Sequence, residues 1–239
     1  MSVDYRCRNS TIFVGWKIAL DRLFLLINNG SFEHDTLNKC HSKIRRRLNI
    51  IVSNPDEKNI HTYQDWLTWD GTWELIDGKA YNMSLAPTSL HQFIVGELHF
   101  ALRTFFESRS CFVFVAPFDV FFSESEAYDS PDHVTQPDLT VVCSKDQISK
   151  KGCNGAPALI IEVLSPSTAL KDFNEKFNLY QKYGVQEYWI VDPGNRTAHV
   201  YYLQDGSYQV RRLYTEQEAI QSITFKELQI PMNRLFSIE

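Results

Sequence analysis

The sequence predicts an α/β (α+β) fold in which a central mixed β-sheet is flanked by helices. Three observations support this class. Short apolar runs bounded by turn residues are typical of buried strands, two Asp-Gly pairs separate runs of strand-forming residues, and two longer stretches have helical apolar spacing. The chain has 239 residues, 44% of them hydrophobic and 22% charged. This composition is typical of a globular protein and excludes a disordered or fibrous chain.

Two tight turns define the predicted hairpins. Asp77-Gly78 and Asp205-Gly206 supply the positive φ angles that a two-residue hairpin turn requires. The flanking segments alternate between apolar and polar residues or are rich in strand-forming residues. The sequence therefore predicts one hairpin over residues 73–84 and another over residues 197–214.

The predicted helices begin and end at recognisable signals. Ser89 with Gln92 fits a capping box, and proline in the first turn with Gly184 at the end bounds a second long helix. The remaining short apolar runs are predicted to be strands. In order, the elements are a helix at 65–69 capped by Thr62, strands at 73–77 and 79–84, a helix at 89–107, strands at 111–115 and 118–122, a surface loop at 123–136, strands at 139–143 and 158–164, a helix at 166–183, and strands at 187–191, 197–203 and 207–214.

Charge divides the chain into two parts. Residues 1–51 carry nine Lys or Arg and four Asp or Glu, a net charge of +5, whereas residues 52–239 carry 15 and 25, a net charge of −10. We expect a basic N-terminal extension over residues 1–60 and one folded domain over residues 61–239. Three interpretations of the extension are open: an amphipathic helix with a tail, a stretch translated from upstream of a true start near Val52, or an arm that contacts DNA or a partner.

The apolar patch and the cysteines indicate the cellular compartment of the protein. The apolar patch at residues 12–27 is interrupted by Lys17, Asp21 and Arg22, which disfavours a transmembrane helix or signal peptide. Five cysteines without a CxxC pair argue against a disulfide framework or a structural zinc site. We therefore expect a cytoplasmic protein with no membrane partner.

Two acidic residues at predicted strands are the strongest candidates for a site. Asp138 directly precedes the strand at 139–143, and Glu162 lies inside the apolar run at 158–164. A carboxylate in a buried strand costs several kcal/mol unless it is paired or bound to a cation. If these strands are adjacent, the two carboxylates meet, and a divalent cation would remove their repulsion. The alternatives are an internal salt bridge for Glu162 and a turn cap for Asp138.

Further polar residues are weaker candidates on spacing alone. Asp172 and Lys176 share one helical face, which is equally typical of a surface ion pair. Glu74, in the first hairpin, is either part of a site or an exposed strand residue, and Asp119 is a carboxylate of the same kind. His91 lies in the first turn of the helix at 89–107, where a capping or packing role competes with a catalytic one.

Other classes of site find no support in the sequence. It contains no phosphate-binding GxxxxGK[ST] or GxGxxG loop, no HExxH metalloprotease motif and no GxSxG nucleophile elbow. The cysteines are scattered, which gives no pattern for a cysteine nucleophile.

As a set, the motifs resemble the Uma family of putative restriction endonucleases, a branch of the PD-(D/E)XK nuclease superfamily. The resemblance runs in order and spacing from about residue 63 to about residue 236 and leaves residues 1–60 uncovered. The motifs that carry it are Tyr63, Trp73 to Gly78, Pro87 with His91, Gln136 to Leu139, Ile161 to Thr168, Asp172 with Lys176 and Tyr180, and Gly184 to Pro193.

The resemblance implies a restriction-endonuclease-like sheet and a Mg²⁺-dependent (or Mn²⁺-dependent) site that hydrolyses phosphodiester bonds in DNA. Asp138 matches the PD pair and Glu162 the acidic residue of (D/E)XK, and these two with the carbonyl of Val163 would hold the metal. The superfamily lysine would fall on Leu164, so its role passes to Lys176 on the following helix. Glu74 matches the acidic residue of the first motif and would contribute to catalysis through a water molecule or a second metal, with His91 and Asp172 in supporting roles.

Two rival functions remain open at this point. Residues 52–239 are acidic, which favours a nuclease-like module that binds nucleic acid or a protein partner without efficient cleavage, because nucleic-acid affinity depends on neutralised phosphates. A metal-dependent hydrolase of small phosphoesters is the third interpretation. For the endonuclease, cleavage of both strands of a duplex calls for two sites, which favours a homodimer.

Overall fold

A computed structural model describes residues 54–56, 59–83, 87–125, 128–165 and 169–238. Most of the predicted N-terminal extension, including its apolar patch and basic run, lies outside these ranges. So do residues 166–168, where the second long helix is predicted to begin.

Helices and short helical turns separate several of the strands along the described chain. The longest, α2, is not apolar enough to qualify as a membrane-spanning segment, and neither is any other helix of the described ranges. The helical segments are α1 (Tyr63–Trp66), α2 (Ser89–Phe106), a 3₁₀ turn (Lys145–Gln147), α3 (Ala169–Lys171), a π-helical turn (Asp172–Lys176), α4 (Phe177–Tyr183) and α5 (Met232–Leu235). We call residues 169–183, which run continuously through α3, the π-helical turn and α4, the site helix.

The strands form two larger sheets and one small ribbon. The strands are β1 (Trp73–Ile76), β2 (Lys79–Asn82), β3 (Phe112–Val115), β4 (Asp119–Phe122), β5 (His133–Thr135), β6 (Leu139–Val142), β7 (Gly152–Asn154), β8 (Leu159–Val163), β9 (Glu187–Asp192), β10 (Thr197–Gln204), β11 (Ser207–Thr215), β12 (Ala219–Gln221) and β13 (Gln229–Pro231). One sheet has the order β2-β1-β5-β4-β7 and the other β11-β10-β9-β8-β6-β3, and β12 pairs with β13.

The mixed α/β class is confirmed. Both larger sheets contain antiparallel pairs together with one parallel pair each, β8 with β9 and β4 with β7. The prediction of a single central sheet differs from the structure, because consecutive strands β3 and β4 belong to different sheets. Strands β1 and β8, which carry Glu74 and Glu162, belong to different sheets.

Both hairpin predictions are confirmed by the turn geometry. Asp77 and Gly78 have φ angles of 50° and 71°, and Asp205 and Gly206 have φ angles of 52° and 75°. These left-handed conformations are the ones that the Asp-Gly pairs predict. The short first helix is present with Thr62 as its predicted cap, but it runs over Tyr63–Trp66 and not over residues 65–69.

The long helix α2 begins at the predicted residue but with a different cap. The N-cap is Thr88, whose side chain accepts a hydrogen bond from the backbone N–H of His91, so the capping box assigned to Ser89 is wrong. Ile94, Leu98 and Leu102 are fully buried on one face of α2. They pack into the core of the six-stranded sheet, which fixes the helix start near Asp138.

Two further expectations need correction. The predicted surface loop at 123–136 contains the buried strand β5, which pairs with β1 and β4. Cys111 and Cys143 form a disulfide, although the cysteine pattern argued against such bonds. The reason is the register of the two strands. Phe112 of β3 lies opposite Val142 of β6, so Cys111 and Cys143, the next residues outward from this pair, lie opposite each other. Cys153 is a buried free thiol.

His133 in β5 predicts a pH dependence of stability. Its Nδ1 accepts a hydrogen bond from the backbone N–H of Asp77 at 3.1 Å, and burial lowers the pKa of His133. Because the folded-state pKa lies below the unfolded value of about 6.5, the free energy of unfolding falls as the pH drops through this range. The charged groups that face His133 are Asp77, Asp132, Lys182 and Glu124.

We expect His133→Gln to flatten this acid-induced loss of stability. Urea denaturation of wild type and variant at pH 7 and pH 5 measures the change. An undiminished pH dependence in the variant would contradict the assignment to His133.

Candidate active site

Asp138 and Glu162 come together where β6 and β8 pair. The two strands are antiparallel with Leu139 opposite Ile161, which places Asp138 opposite Glu162. The backbone N–H of Val163 donates to Oδ2 of Asp138 at 2.8 Å. The predicted convergence of these two carboxylates is therefore present in the structure.

Glu162 is buried, with 3% of its surface exposed. Its Oε1 accepts hydrogen bonds from Nζ of Lys176 at 2.7 Å and from the hydroxyl of Tyr180 at 3.0 Å. Burial raises the pKa of Glu162 well above its usual value, and neighbouring carboxylates add to the rise while Lys176 opposes it. The internal salt bridge considered as the alternative for Glu162 exists, and its cation is the predicted site lysine.

Lys176 binds three carboxylates at once. Its Nζ lies 2.7 Å from Glu162, 2.9 Å from Glu74 and 3.5 Å from Asp172. Burial alone would lower the pKa of Lys176, but these carboxylates outweigh it and raise the pKa well above the usual value. The ammonium therefore stays charged inside the protein.

Glu74 is a fully buried acceptor rather than an exposed strand residue. Pairing of β1 with β5 brings it next to Gln136, whose backbone N–H donates to Oε1 of Glu74 at 2.8 Å. Nζ of Lys171 donates to Oε2 at 2.6 Å. Burial would raise the pKa of Glu74, but Lys176 and Lys171 together lower it below its usual value.

The Asp172–Lys176 pair is buried, so the surface-pair interpretation is wrong. Each residue is about 1% exposed, and both lie in the π-helical turn of the site helix. The hydroxyl of Tyr188 donates to the backbone carbonyl of Asp172 at 3.1 Å, which fixes this turn against β9. Turns of this kind are frequent at functional sites.

His91 and Asp119 lie beside the carboxylate cluster. Nε2 of His91 is 3.3 Å from Oδ2 of Asp138. Burial opposes protonation, but the hydrogen bond to Asp138 and its charge outweigh burial and raise the pKa of His91. Asp119 accepts a hydrogen bond from Nε2 of Gln136 at 2.5 Å, and the backbone N–H of Gln136 in turn donates to Glu74.

The donor set fits a hard divalent cation. Among the described residues, the contacts to Asp138 fall on Oδ2 and those to Glu162 on Oε1, which leaves Oδ1 and Oε2 without hydrogen bonds. The cluster holds four acidic side chains against two ammonium groups and the imidazole of His91, and a divalent cation would relieve the repulsion among the acids that helps to raise the pKa of Glu162. The residues concerned are Glu74, Asp138, Glu162 and Asp172 with Lys171 and Lys176.

A site richer in side-chain ligands is not seen in the described ranges, where no three His, Cys, Asp or Glu side chains are grouped to hold a metal. Mg²⁺ commonly uses only one or two carboxylates, with water and substrate phosphate completing its shell. Asp138, Glu162 and the backbone of Val163 fit that pattern.

Three residues of the cluster were missed or undervalued by sequence reasoning. Lys171 has no helical spacing that would place it beside Lys176, so periodicity gives no signal for it. Tyr180 shares the face of Asp172 and Lys176 and was identifiable in that way. Gln136 was part of the PD-containing motif, but its backbone contact with Glu74 depends on the pairing of β1 and β5.

Comparisons with known proteins give one family match and a structural neighbour. The family model Uma2, described as "Putative restriction endonuclease", matches residues 60–233. A crystal structure of a putative nuclease belonging to DUF820, from Anabaena variabilis ATCC 29413, has a TM-score of 0.60 and 24% sequence identity to this chain. The alignment covers 74% of this chain and 97% of that one, and it supports the fold. No curated protein matches the sequence.

The family match covers well over half of the chain and includes all the residues of the buried cluster. It supports a nuclease function at the level of the family. The chain belongs to the Uma2 family of putative restriction endonucleases.

Proposed function

We propose that this protein is a Mg²⁺-dependent (or Mn²⁺-dependent) DNA endonuclease that hydrolyses phosphodiester bonds. The observation that carries the proposal is the meeting of Asp138 and Glu162 beside the buried ammonium of Lys176, where each carboxylate keeps one oxygen that accepts no hydrogen bond from the residues that the structure describes. The family description adds independent support for nucleic acid as the substrate.

Asp138, Glu162 and the carbonyl of Val163 would hold the metal. A divalent cation bound there would lower the pKa of a water ligand and offset charge on the phosphate. Lys176, fixed by Glu162 and Glu74, orients the attacking water or stabilises charge that develops on the pentavalent phosphorane.

The surrounding residues position these groups. His91 holds Asp138 through the contact of Nε2 with Oδ2, and Tyr180 holds Glu162 through its hydroxyl. Asp172 contacts Lys176 from within the same helical turn. The chemistry therefore depends on groups that are held in place before substrate binds.

A nuclease-like module that binds without efficient cleavage is the alternative. The net charge of −10 over residues 52–239 favours it, because phosphate binding requires local positive charge. This alternative and the endonuclease differ in turnover, so one assay separates them.

Cleavage of supercoiled plasmid by the full chain tests the proposal. We expect nicked or linear product with Mg²⁺ or Mn²⁺, none with EDTA, and DNA binding without cleavage in Ca²⁺. Asp138→Asn should reduce cleavage at least about 100-fold, because it removes the charge of a metal ligand. Glu227→Gln, at an exposed surface pair with Arg109, is the matched control and should cleave normally.

Each outcome decides between the functions. Metal-independent or undiminished cleavage by Asp138→Asn would overturn the assigned site. Binding of DNA without cleavage in either metal would favour the binding module. Hydrolysis of a small phosphodiester that excess DNA does not inhibit would favour the small-phosphoester enzyme.

A further inference from the structure

Lys171 is a second buried cation of the cluster, and nothing in the motifs above assigns it a role. The residue is 8% exposed. Its Nζ lies 2.6 Å from Oε2 of Glu74 and 3.1 Å from Sδ of Met83, and it lies 5.5 Å from the centre of the Tyr81 ring. The ammonium is thus enclosed by β1, β2 and the residue that follows β2.

The π-helical turn explains how Lys171 and Lys176 reach the same carboxylate. In an α-helix, residues five apart are separated by roughly 140° around the axis. A π-helical turn has hydrogen bonds between residues five apart, which brings such residues back towards one face. Lys171 directly precedes this turn and Lys176 ends it, and their ammonium groups bind the two different oxygens of Glu74.

The contacts of Lys176 show why a second cation matters. Glu74, Glu162 and Asp172 all bind its single ammonium, so the three carboxylates compete for it. Without Lys171, the Oε2 of Glu74 would lose its hydrogen-bond donor while remaining fully buried. A buried carboxylate left without its partner draws its remaining cation closer or takes up a proton. Either response changes how Lys176 sits against Glu162.

We propose that Lys171 is a positioning residue: its ammonium binds Oε2 of Glu74, and this leaves Oε1 of Glu74 to hold Lys176 against Glu162. The proposal rests on the proposed nuclease function for its kinetic consequence. Its structural part, the coupling of Lys171 to Glu74, stands apart from the reaction.

A double-mutant cycle on DNA cleavage tests the kinetic consequence. We expect Lys171→Met to lower kcat about 10- to 100-fold, the range typical of residues that orient metal-site groups, with KM within about twofold of wild type. Lys171→Arg should restore most of the rate because it keeps a cation on Glu74. In a Glu74→Gln background, Lys171→Met should lower kcat less than threefold further.

Lys182→Met is the matched control, because Lys182 forms an exposed ion pair with Glu124 away from the cluster. It should leave kcat unchanged. A loss confined to KM would overturn the proposal, since it would mean that Lys171 contacts DNA itself. Equal losses of kcat in the wild-type and Glu74→Gln backgrounds would also overturn it, because Lys171 would then act independently of Glu74.

Urea unfolding of the four proteins of the cycle separates this proposal from the nuclease function. These are wild type, Lys171→Met, Glu74→Gln and the double variant. We expect Lys171→Met to lower the unfolding midpoint in the wild-type background and to have little effect in the Glu74→Gln background. If no variant or wild type cleaves DNA and this coupling is present, the nuclease function fails while the Lys171–Glu74 link stands. If wild type cleaves and the coupling is absent, the positioning role fails by itself.

Discussion

Replacing Glu162 with glutamine is expected to abolish metal-dependent DNA cleavage, with a loss of kcat of about 10³-fold or more. The change removes the charge of a proposed metal ligand and weakens the contact that fixes Lys176 at 2.7 Å. Glutamine has nearly the volume of glutamate, so it avoids the cavity that alanine would leave. Single-turnover cleavage of plasmid DNA at saturating Mg²⁺ measures the effect.

Glu187→Gln provides a matched control for that experiment. Glu187 is also a fully buried carboxylate, and it lies on β9, next to β8, but its contacts are with Trp189 and the 222–224 segment. Folded Glu187→Gln protein should therefore cleave at the wild-type rate. Cleavage by Glu162→Gln within tenfold of wild type would contradict the catalytic assignment of Glu162.

The Glu187→Ala substitution is expected to cause the largest loss of stability, about 4 kcal/mol in the free energy of unfolding. The carboxylate accepts hydrogen bonds from the indole N–H of Trp189 at 2.6 Å, the hydroxyl of Ser222 at 2.9 Å and the backbone N–H of Thr224 at 2.8 Å. Its removal leaves these donors unsatisfied, at a cost of about 1–3 kcal/mol for each buried group. Equilibrium urea denaturation gives the value.

A partly exposed acidic residue serves as the comparison for this loss. Glu216→Ala removes a partly exposed ion pair with Arg196 and should cost less than about 1 kcal/mol. A similar small cost for Glu187→Ala would mean that the 222–224 segment rearranges to satisfy its donors elsewhere.

Much of the fold could be predicted because its signals are local. Asp77-Gly78 and Asp205-Gly206 determine their turns by backbone preference alone, and both predicted hairpins are present. The strand β5 could not be found in this way, since it has three residues inside a polar stretch and is stabilised by its pairing with β1 and β4. The disulfide of Cys111 likewise depends on strand register.

The site was predictable where a residue conflicted with its surroundings. Glu162 inside an apolar strand and Asp138 at a strand start required a partner, and the structure brings them together. Lys171 could not be predicted, because helical periodicity places it away from Lys176 and only the π-helical turn reverses this. Glu187 shows the limit of the argument: it is equally buried, yet its contacts are with donors that anchor a loop.

The placement of Lys176 on a helix has a consequence for how the proposed nuclease activity can be lost. Position 164, at the end of β8, is occupied by a buried leucine that belongs to the core, so the sheet carries no ammonium of its own there. Position 164 therefore serves packing, and the ammonium of Lys176 reaches the carboxylates only when the helix is docked. A local opening that detaches residues 169–183 would switch off the reaction while both sheets stay folded, so turnover would decline on heating before global melting begins.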